Sequence, residues 1–225
     1  MHDPAVEPKR ADHFVSAQRR RLAEAARHLI DATLTMEHAT EEQLGTAADM
    51  VEAAARHLGR EPHDDDRGVR QRSELGHADY LPRSPLVGDV SPLAPPMVWT
   101  TTADGIELRG RYHAAYEGPP GYVHGGWIAL TFDEVLGMTN IAAGHPGMTG
   151  RLTVRYLKPT PLHRTVEIRG RTERVEGRRI VASAEMHVDG VRTAVAEGLF
   201  VSIDPRLAAE YFGRGEASPA GNPSP

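Results

Sequence analysis

The chain has 225 residues, of which 40% are hydrophobic and 25% charged, a balance typical of a globular protein that buries a core. Its formal net charge of −5 gives no broad basic field, so nucleic acid is not an expected partner. Because there is no cysteine, disulfides, a thiolate nucleophile and thiolate-bound metals are excluded. The N-terminus lacks a signal-peptide layout, and no apolar run approaches the ~20 residues of a membrane span. We therefore expect a cytoplasmic protein.

Two segments near the N-terminus, residues 22–36 and 44–58, carry apolar residues at the three- and four-residue spacing of a helix face. Thr40 is a suitable N-cap for the second helix, and Gly59 is a suitable end. We expect a helical hairpin and linker over residues 1–75. Its apolar faces are narrow and rich in alanine, and short helices are marginal in water. The hairpin is therefore expected to dock on the main domain or across a dimer.

Residues 60–96 combine a charged run with repeated prolines, which predicts a connector lying over the surface of the main domain. The histidines and aspartates of residues 57–66 raise the alternative of a metal site, but a solvated charged loop is the simpler interpretation. We expect no metal and no cofactor. The main domain is placed at residues 76–208, and a tail at residues 209–225, rich in small residues, is predicted to be disordered.

From residue 97 onward the apolar period changes to two, which indicates β-strands. Residues 97–101 and 106–112 predict a hairpin that turns at Asp104-Gly105. Further alternating segments lie at residues 152–156, 166–169, 180–188 and 191–203. Between the two sets, residues 127–143 are hydrophobic on almost every side, which predicts a buried helix. An antiparallel sheet wrapped around one helix is the α+β hotdog fold, here with an N-terminal helical hairpin.

The stretch GPPGYVHGGWIALTFDEVLGM resembles the PaaI-type branch of the hydroxybenzoyl-CoA thioesterase superfamily, and the match continues through GMTGRLTVRYLKPTPL, VEGRRIVASAEM and AEGLFVSI. It covers about residues 99–203. Its specific feature is His124-Gly125-Gly126 with Asp133 following at a fixed distance, within this order of strands. The resemblance implies an acyl-CoA thioesterase that hydrolyses fatty or aryl acyl-CoA to free acid and coenzyme A.

The resemblance also implies roles for four residues. The N–H of Gly125 is the oxyanion donor, and the His124 side chain orients or polarises the substrate. Asp133 is the catalytic carboxylate, acting as general base for a water or as nucleophile. Thr149 hydrogen-bonds that carboxylate and the lytic water, with a hydroxyl that merely stabilises a turn as the alternative. Gly118 stands where some relatives carry a helper Asn or Gln.

The residues themselves support the same site. Gly125 and Gly126 lie just before the predicted helix, where free N–H groups and the positive end of the helix dipole converge. Asp133 and Glu134 are the only charged residues in 127–143, and a carboxylate there is costly unless it is paired or used. Eight residues separate Gly125 from Asp133, a helical rise of about 12 Å. One chain cannot bring both to one carbonyl, so we expect a homodimer or a dimer of dimers whose site combines two subunits.

Gly126 is expected to contribute to substrate binding, and several basic residues are candidates for the phosphates of coenzyme A. These are Arg151, Arg155, Lys158, Arg178 and Arg179. Each of them, taken singly, is more simply explained as surface charge. Trp127 either narrows the acyl tunnel or packs in the core.

Three other functions fit the sequence less well. A non-catalytic acyl-CoA sensor that binds DNA through its N-terminal helices is disfavoured, because residues 1–72 hold 11 Lys and Arg against 14 Asp and Glu. A hotdog hydratase would carry an Asp and His on an Asn-Pro-containing loop, which this chain lacks. A dimerisation module without catalysis is disfavoured by the intact set of His124, Gly125 and Asp133.

Overall fold

The computed structural model describes residues 16–59 and 83–202. Predictions that concern residues 60–82, among them the histidine and aspartates of the charged run, lie outside the described residues. The same holds for the C-terminal tail, residues 209–225. Over the described part of the chain, no helix is long and apolar enough to cross a membrane.

Two helices come first, α1 (Ala17–Thr35) and α2 (Glu41–His57). Thr40 caps α2 as predicted: its hydroxyl accepts from Gln43 N at 3.2 Å, and the Gln43 side chain accepts from Thr40 N at 2.9 Å. This reciprocal capping box satisfies two backbone donors that the first turn leaves without a partner. Residues 17–34 belong to the same compact unit as residues 83–202, whereas α2 belongs to a second unit and has no buried residue.

Two side chains of α1 contact the end of the connector that precedes the sheet. Arg20 Nε lies 2.7 Å from Asp89 Oδ2, and Arg27 Nη1 donates to Ser91 O at 2.9 Å. The connector itself is anchored more deeply than a surface segment, because Leu86 is 0% exposed. A connector that lies over a domain can still insert single side chains into it, and the sequence did not predict the burial of Leu86. A fully buried leucine side chain contributes roughly 2 kcal/mol of hydrophobic stabilisation.

Six strands form one antiparallel sheet in the order β1-β2-β4-β5-β6-β3. Their bounds are β1 (Met97–Thr101), β2 (Gly105–Arg111), β3 (Gly147–Tyr156), β4 (Thr165–Glu176), β5 (Arg179–Val188) and β6 (Val191–Ser202). The β5–β6 hairpin turns on Asp189 and Gly190, whose φ angles of 50° and 75° suit the two-residue turn that matches strand twist. Every predicted strand segment is found, and β3 lies at one edge of the sheet.

A third helix, α3 (Gly125–Ala142), packs on the inner face of this sheet. Its side chains Phe132, Val135 and Leu136 are 0% exposed and meet buried residues of the strands. Gly170 of β4 allows close contact, since a Cβ there would lie 2.5 Å from Thr139 Oγ1. The sheet wrapped around α3 confirms the predicted hotdog fold.

Candidate active site

His124 is the N-cap of α3, and its Nδ1 accepts a hydrogen bond from Gly126 N at 3.0 Å. Gly125 and Gly126 are therefore the first two residues of the helix, which begins two residues earlier than the apolar pattern predicted. A cap by histidine supplies one of the acceptors that the first turn lacks. The glycines escaped the prediction because they have no side chain that adds to a hydrophobic period.

The Gly125 N–H stands at the first position of the helix, where no intrahelical acceptor exists. Within residues 16–59 and 83–202, no other group accepts from it. The helix dipole adds partial positive charge at this point. The N–H is thus suited to a developing oxyanion, as the resemblance implied.

A cleft of about 530 Å³ opens beside Gly125. Its walls include Val123, Ile128 and Leu157, and Lys158 also lines it. Apolar walls with a few placed polar groups are typical of sites for small organic ligands. Of the predicted basic residues, Lys158 is the one that the structure brings to this cleft.

The surroundings of Gly118 leave no room for the side chain of an Asn or Gln at this position. A Cβ at this position would lie 2.7 Å from His124 Cα, closer than real Cβ contacts occur. An Asn or Gln at residue 118 would therefore displace His124 from its capping position.

At the other end of the candidate site, Asp133 accepts a hydrogen bond from Thr149 Oγ1 at 2.8 Å. Asp133 is half-buried on α3, and Thr149 is exposed on β3. The structure therefore brings together the two residues that the resemblance paired. A hydroxyl donor orients the carboxylate and leaves its second oxygen available for a water.

A β-bulge places the Thr149 hydroxyl. Thr149 pairs with Phe200 and Arg151 with Leu199, so Gly150 is an extra residue in β3. The prediction that the strand begins after Thr149 is wrong, since β3 starts at Gly147. The extra residue reverses the alternation of side chains between the two faces of the sheet. Thr149 is therefore directed toward α3 and Arg151 away from it.

The same register separates the remaining basic residues from the cleft. Arg151 and Arg155 pair with outward-facing residues of β6 and lie on the sheet face opposite α3. Arg178 Nε donates to Ser202 O at 3.3 Å. Ser202 pairs with Gly147, so Arg178 lies at the Thr149 end of β3. Arg179 pairs with Val201 at that end as well.

Two contacts near the candidate site were missed by sequence reasoning. The Tyr156 hydroxyl donates to Gly125 O at 2.9 Å, although the sequence showed Tyr156 only as one residue of an alternating strand. Ser84 Oγ donates to Glu134 Oε1 at 2.8 Å, which gives this second carboxylate of α3 a structural partner. No sequence signal linked either pair, because their members are far apart in the chain.

The sequence left two alternatives for Trp127, the acyl tunnel and the core. In the structure its ring packs edge-on against Tyr116, with ring centroids 4.9 Å apart. Burial raises the pKa of the Tyr116 phenol to about 12, so this hydroxyl stays protonated at neutral pH. It donates to Leu93 O at 3.2 Å. Trp127 therefore belongs to a packed aromatic cluster. Among the described residues, no group of three or more His, Asp or Glu could hold a metal ion.

Comparison with known proteins shows which proteins this chain is similar to. The family model described as thioesterase superfamily matches residues 120–195, which include His124, Gly125, Asp133 and Thr149. Acyl-coenzyme A thioesterase THEM4 of Xenopus laevis is 37% identical over 91 residues, 40% of this chain and 41% of that protein. The mouse THEM4 protein is 35% identical over 91 residues, 39% of its length. The chain thus spans about two-fifths of these curated relatives.

A solved structure gives broader coverage. A crystal structure described as a thioesterase superfamily protein aligns with a TM-score of 0.71 at 33% identity. The alignment covers 82% of this chain and 90% of that one, so it includes much more than the central motif. On this identity and coverage, together with the matching family model, the chain belongs to the thioesterase superfamily.

Proposed function

We propose that the protein hydrolyses acyl-coenzyme A thioesters to the free acid and coenzyme A. The observation that carries this proposal is the hydrogen bond from Thr149 to Asp133, on the helix whose first N–H, at Gly125, has no acceptor among the described residues. A carboxylate with a hydroxyl partner and a free backbone donor are the two parts that acyl transfer to water needs. Relatives named acyl-coenzyme A thioesterase support the choice of substrate.

The Gly125 end would bind the thioester carbonyl. As a water attacks, negative charge grows on the carbonyl oxygen, and the Gly125 N–H stabilises it at the positive end of α3. Because His124 Nδ1 accepts from Gly126 N, a neutral His124 carries its proton on Nε2. That Nε2–H is then a second donor, which orients the substrate or polarises its carbonyl.

The Asp133 end would supply the base. Asp133 takes a proton from water as the water oxygen bonds to the carbonyl carbon, and the C–S bond then breaks to release the coenzyme A thiolate. The proton that Asp133 took from water passes to the departing thiolate, directly or through solvent, and the carboxylate is regenerated. Thr149 holds one carboxylate oxygen, so the other faces the water. Direct attack by Asp133, followed by hydrolysis of an anhydride, is the alternative route for the same residue.

The two ends would act together only across two subunits. Gly125 and Asp133 lie on one continuous helix, about 12 Å apart along its axis. β3 is an edge strand, and its neighbourhood exposes Met148, Tyr156 and Leu157 at 56%, 55% and 41%. Long apolar edges are normally covered. A second copy at this edge would place its Asp133 near the Gly125 of the first.

Substrate binding is proposed to use Lys158, which lines the cleft, and Gly126, the neighbour of Gly125 in the first turn of α3. Lys158 is a mobile cation suited to a phosphate of coenzyme A. Arg151, Arg155 and Arg178 do not reach this cleft within one chain, so any contact from them would come at the sheet edge shared by two subunits.

The test is release of free thiol from a panel of acyl-CoA substrates, from acetyl to palmitoyl, with phenylacetyl-CoA included. Turnover that follows saturation kinetics with at least one member is expected. The panel also defines the acyl preference. Tight binding of acyl-CoA without thiol release would contradict the proposal and would indicate a non-catalytic acyl-CoA sensor.

A further inference from the structure

One peptide group at the start of α3 is held from both sides. The carbonyl of Gly125 accepts from the Tyr156 hydroxyl at 2.9 Å. The N–H of the same peptide group, on Gly126, donates to His124 Nδ1 at 3.0 Å. Tyr156, the Gly125–Gly126 peptide and His124 therefore form a continuous chain of hydrogen bonds.

Tyr156 is placed for this contact by the sheet. It is the last residue of β3 and pairs with Ala194, a buried residue of the inner face, so its side chain is directed toward α3. Its ring lies against the backbone, since a Cβ built on Gly125 would stand 3.4 Å from Tyr156 Cζ and Oη. A methyl group would fit at this distance, but a longer side chain at residue 125 would push the ring away.

The first turn of α3 needs such support because of its sequence. Two successive glycines are the most permissive residues of the backbone, and they lose the most conformational freedom when ordered. The first turn of a helix is also where hydrogen bonds within the helix are missing. The Gly125 N–H belongs to the preceding peptide group and is joined to the held one through the Gly125 Cα, whose dihedral angles are those of a permissive glycine. Without an external contact on its neighbour, the direction of this N–H would be poorly determined. An oxyanion donor, however, works only when it is aligned in advance.

We propose that Tyr156 is a positioning residue, which holds the Gly125–Gly126 peptide so that the Gly125 N–H and His124 Nε2 are aligned toward the substrate. The inference rests on the proposed function of Gly125. Hydrogen bonds in a chain polarise one another, so the Tyr156 hydroxyl also strengthens the Gly126 donation to His124. It thereby favours the imidazole form with its proton on Nε2.

The test is Tyr156→Phe, which removes the hydroxyl and keeps the ring. We expect kcat to fall about tenfold while KM changes less than about twofold, because alignment of an oxyanion donor matters in the transition state. In ¹⁵N NMR spectra of protein labelled at histidine, recorded near pH 8, the chemical shift of His124 Nδ1 should change. The reason is that the hydrogen bond this nitrogen accepts from Gly126 N becomes weaker. Combined with His124→Ala, the substitution should cost less than the product of the two single effects.

Tyr116→Phe is the matched control. It too removes a tyrosine hydroxyl that donates to a backbone carbonyl, that of Leu93 at 3.2 Å, and this bond lies outside α3. The Tyr116 ring, which packs edge-on against Trp127, is kept. It is expected to lower the melting temperature without changing kcat or the His124 signal. Equal loss of kcat in both variants, or a Tyr156→Phe protein with an unchanged His124 signal, would overturn the inference. If the unmodified protein hydrolyses no acyl-CoA but Tyr156→Phe still moves the His124 signal, the proposed function fails and the hydrogen-bond chain stands.

Discussion

The two ends of the candidate site, eight residues apart on α3, use different parts of the chain. At Gly125 the proposed working group is a backbone N–H, next to the His124 cap and the Tyr156 contact. At Asp133 it is a side chain, oriented by Thr149 from a bulged strand. A backbone donor can be misaligned by substitution but not removed, whereas a carboxylate is removed by one change. The Asp133 end should therefore be far more sensitive to conservative mutation.

The largest expected effect is that of Asp133→Asn. An amide cannot take a proton from water, so kcat should fall by roughly a hundredfold or more with the fold retained. Thiol release measures kcat, and circular dichroism measures whether the fold is retained. Glu134→Gln is the matched control on the same helix, because the amide oxygen can still accept from Ser84. Near-normal turnover in Asp133→Asn, or an equal loss in Glu134→Gln, would refute the role of Asp133.

Mixing two inactive proteins tests whether the two ends come from different chains. If each site combines two subunits, Asp133→Asn and Gly125→Leu each inactivate both sites of a homodimer. A heterodimer keeps one intact site of two, so random exchange should restore about a quarter of the original activity. Exchange is verified by mass spectrometry of differently tagged subunits. Demonstrated exchange without any recovery would mean that the site lies within one chain.

Thr149→Ala should have a smaller effect, about tenfold on kcat, because Thr149 orients the base and does not replace it. Thr149→Ser keeps the hydroxyl and should retain most of the activity. The two variants are compared by kcat at saturating substrate. A loss in Thr149→Ala as large as that in Asp133→Asn would give Thr149 a more direct role than orientation.

The smallest effect concerns the outer face of the sheet, away from both ends. Hydrogen bonds from Ser183 and Arg171 lower the pKa of Glu173 from its ordinary 4.5. A lowered pKa stabilises the fold fully above the ordinary value, and this contribution is lost as pH falls through the folded-state value. Glu173→Gln should therefore lower the melting temperature slightly at pH 7 and leave it unchanged in acid, with activity intact. A change in kcat would show that the outer face influences the site.

Much of the fold could be predicted because its signals are local. The period of two located every strand, and Asp104-Gly105 marked the turn that joins β1 and β2. Thr40 capped α2 as expected. Leu86 was missed, since nothing in a proline-rich connector distinguishes an apolar residue that is buried from one that is exposed. The start of α3 was also missed, because it depends on a histidine cap and two glycines.

By itself, the sequence determined the order of helices and strands, and its motif singled out Gly125 and Asp133. The resemblance also paired Thr149 with Asp133, whereas only the tertiary structure revealed that Tyr156 meets Gly125. Thr149 is 16 residues from Asp133, and Tyr156 is 31 residues from Gly125. Such contacts depend on strand register, where one extra residue, Gly150, reverses the face to which the neighbouring side chains point. A register is chosen by the packing of the whole sheet around α3, so no local pattern records it.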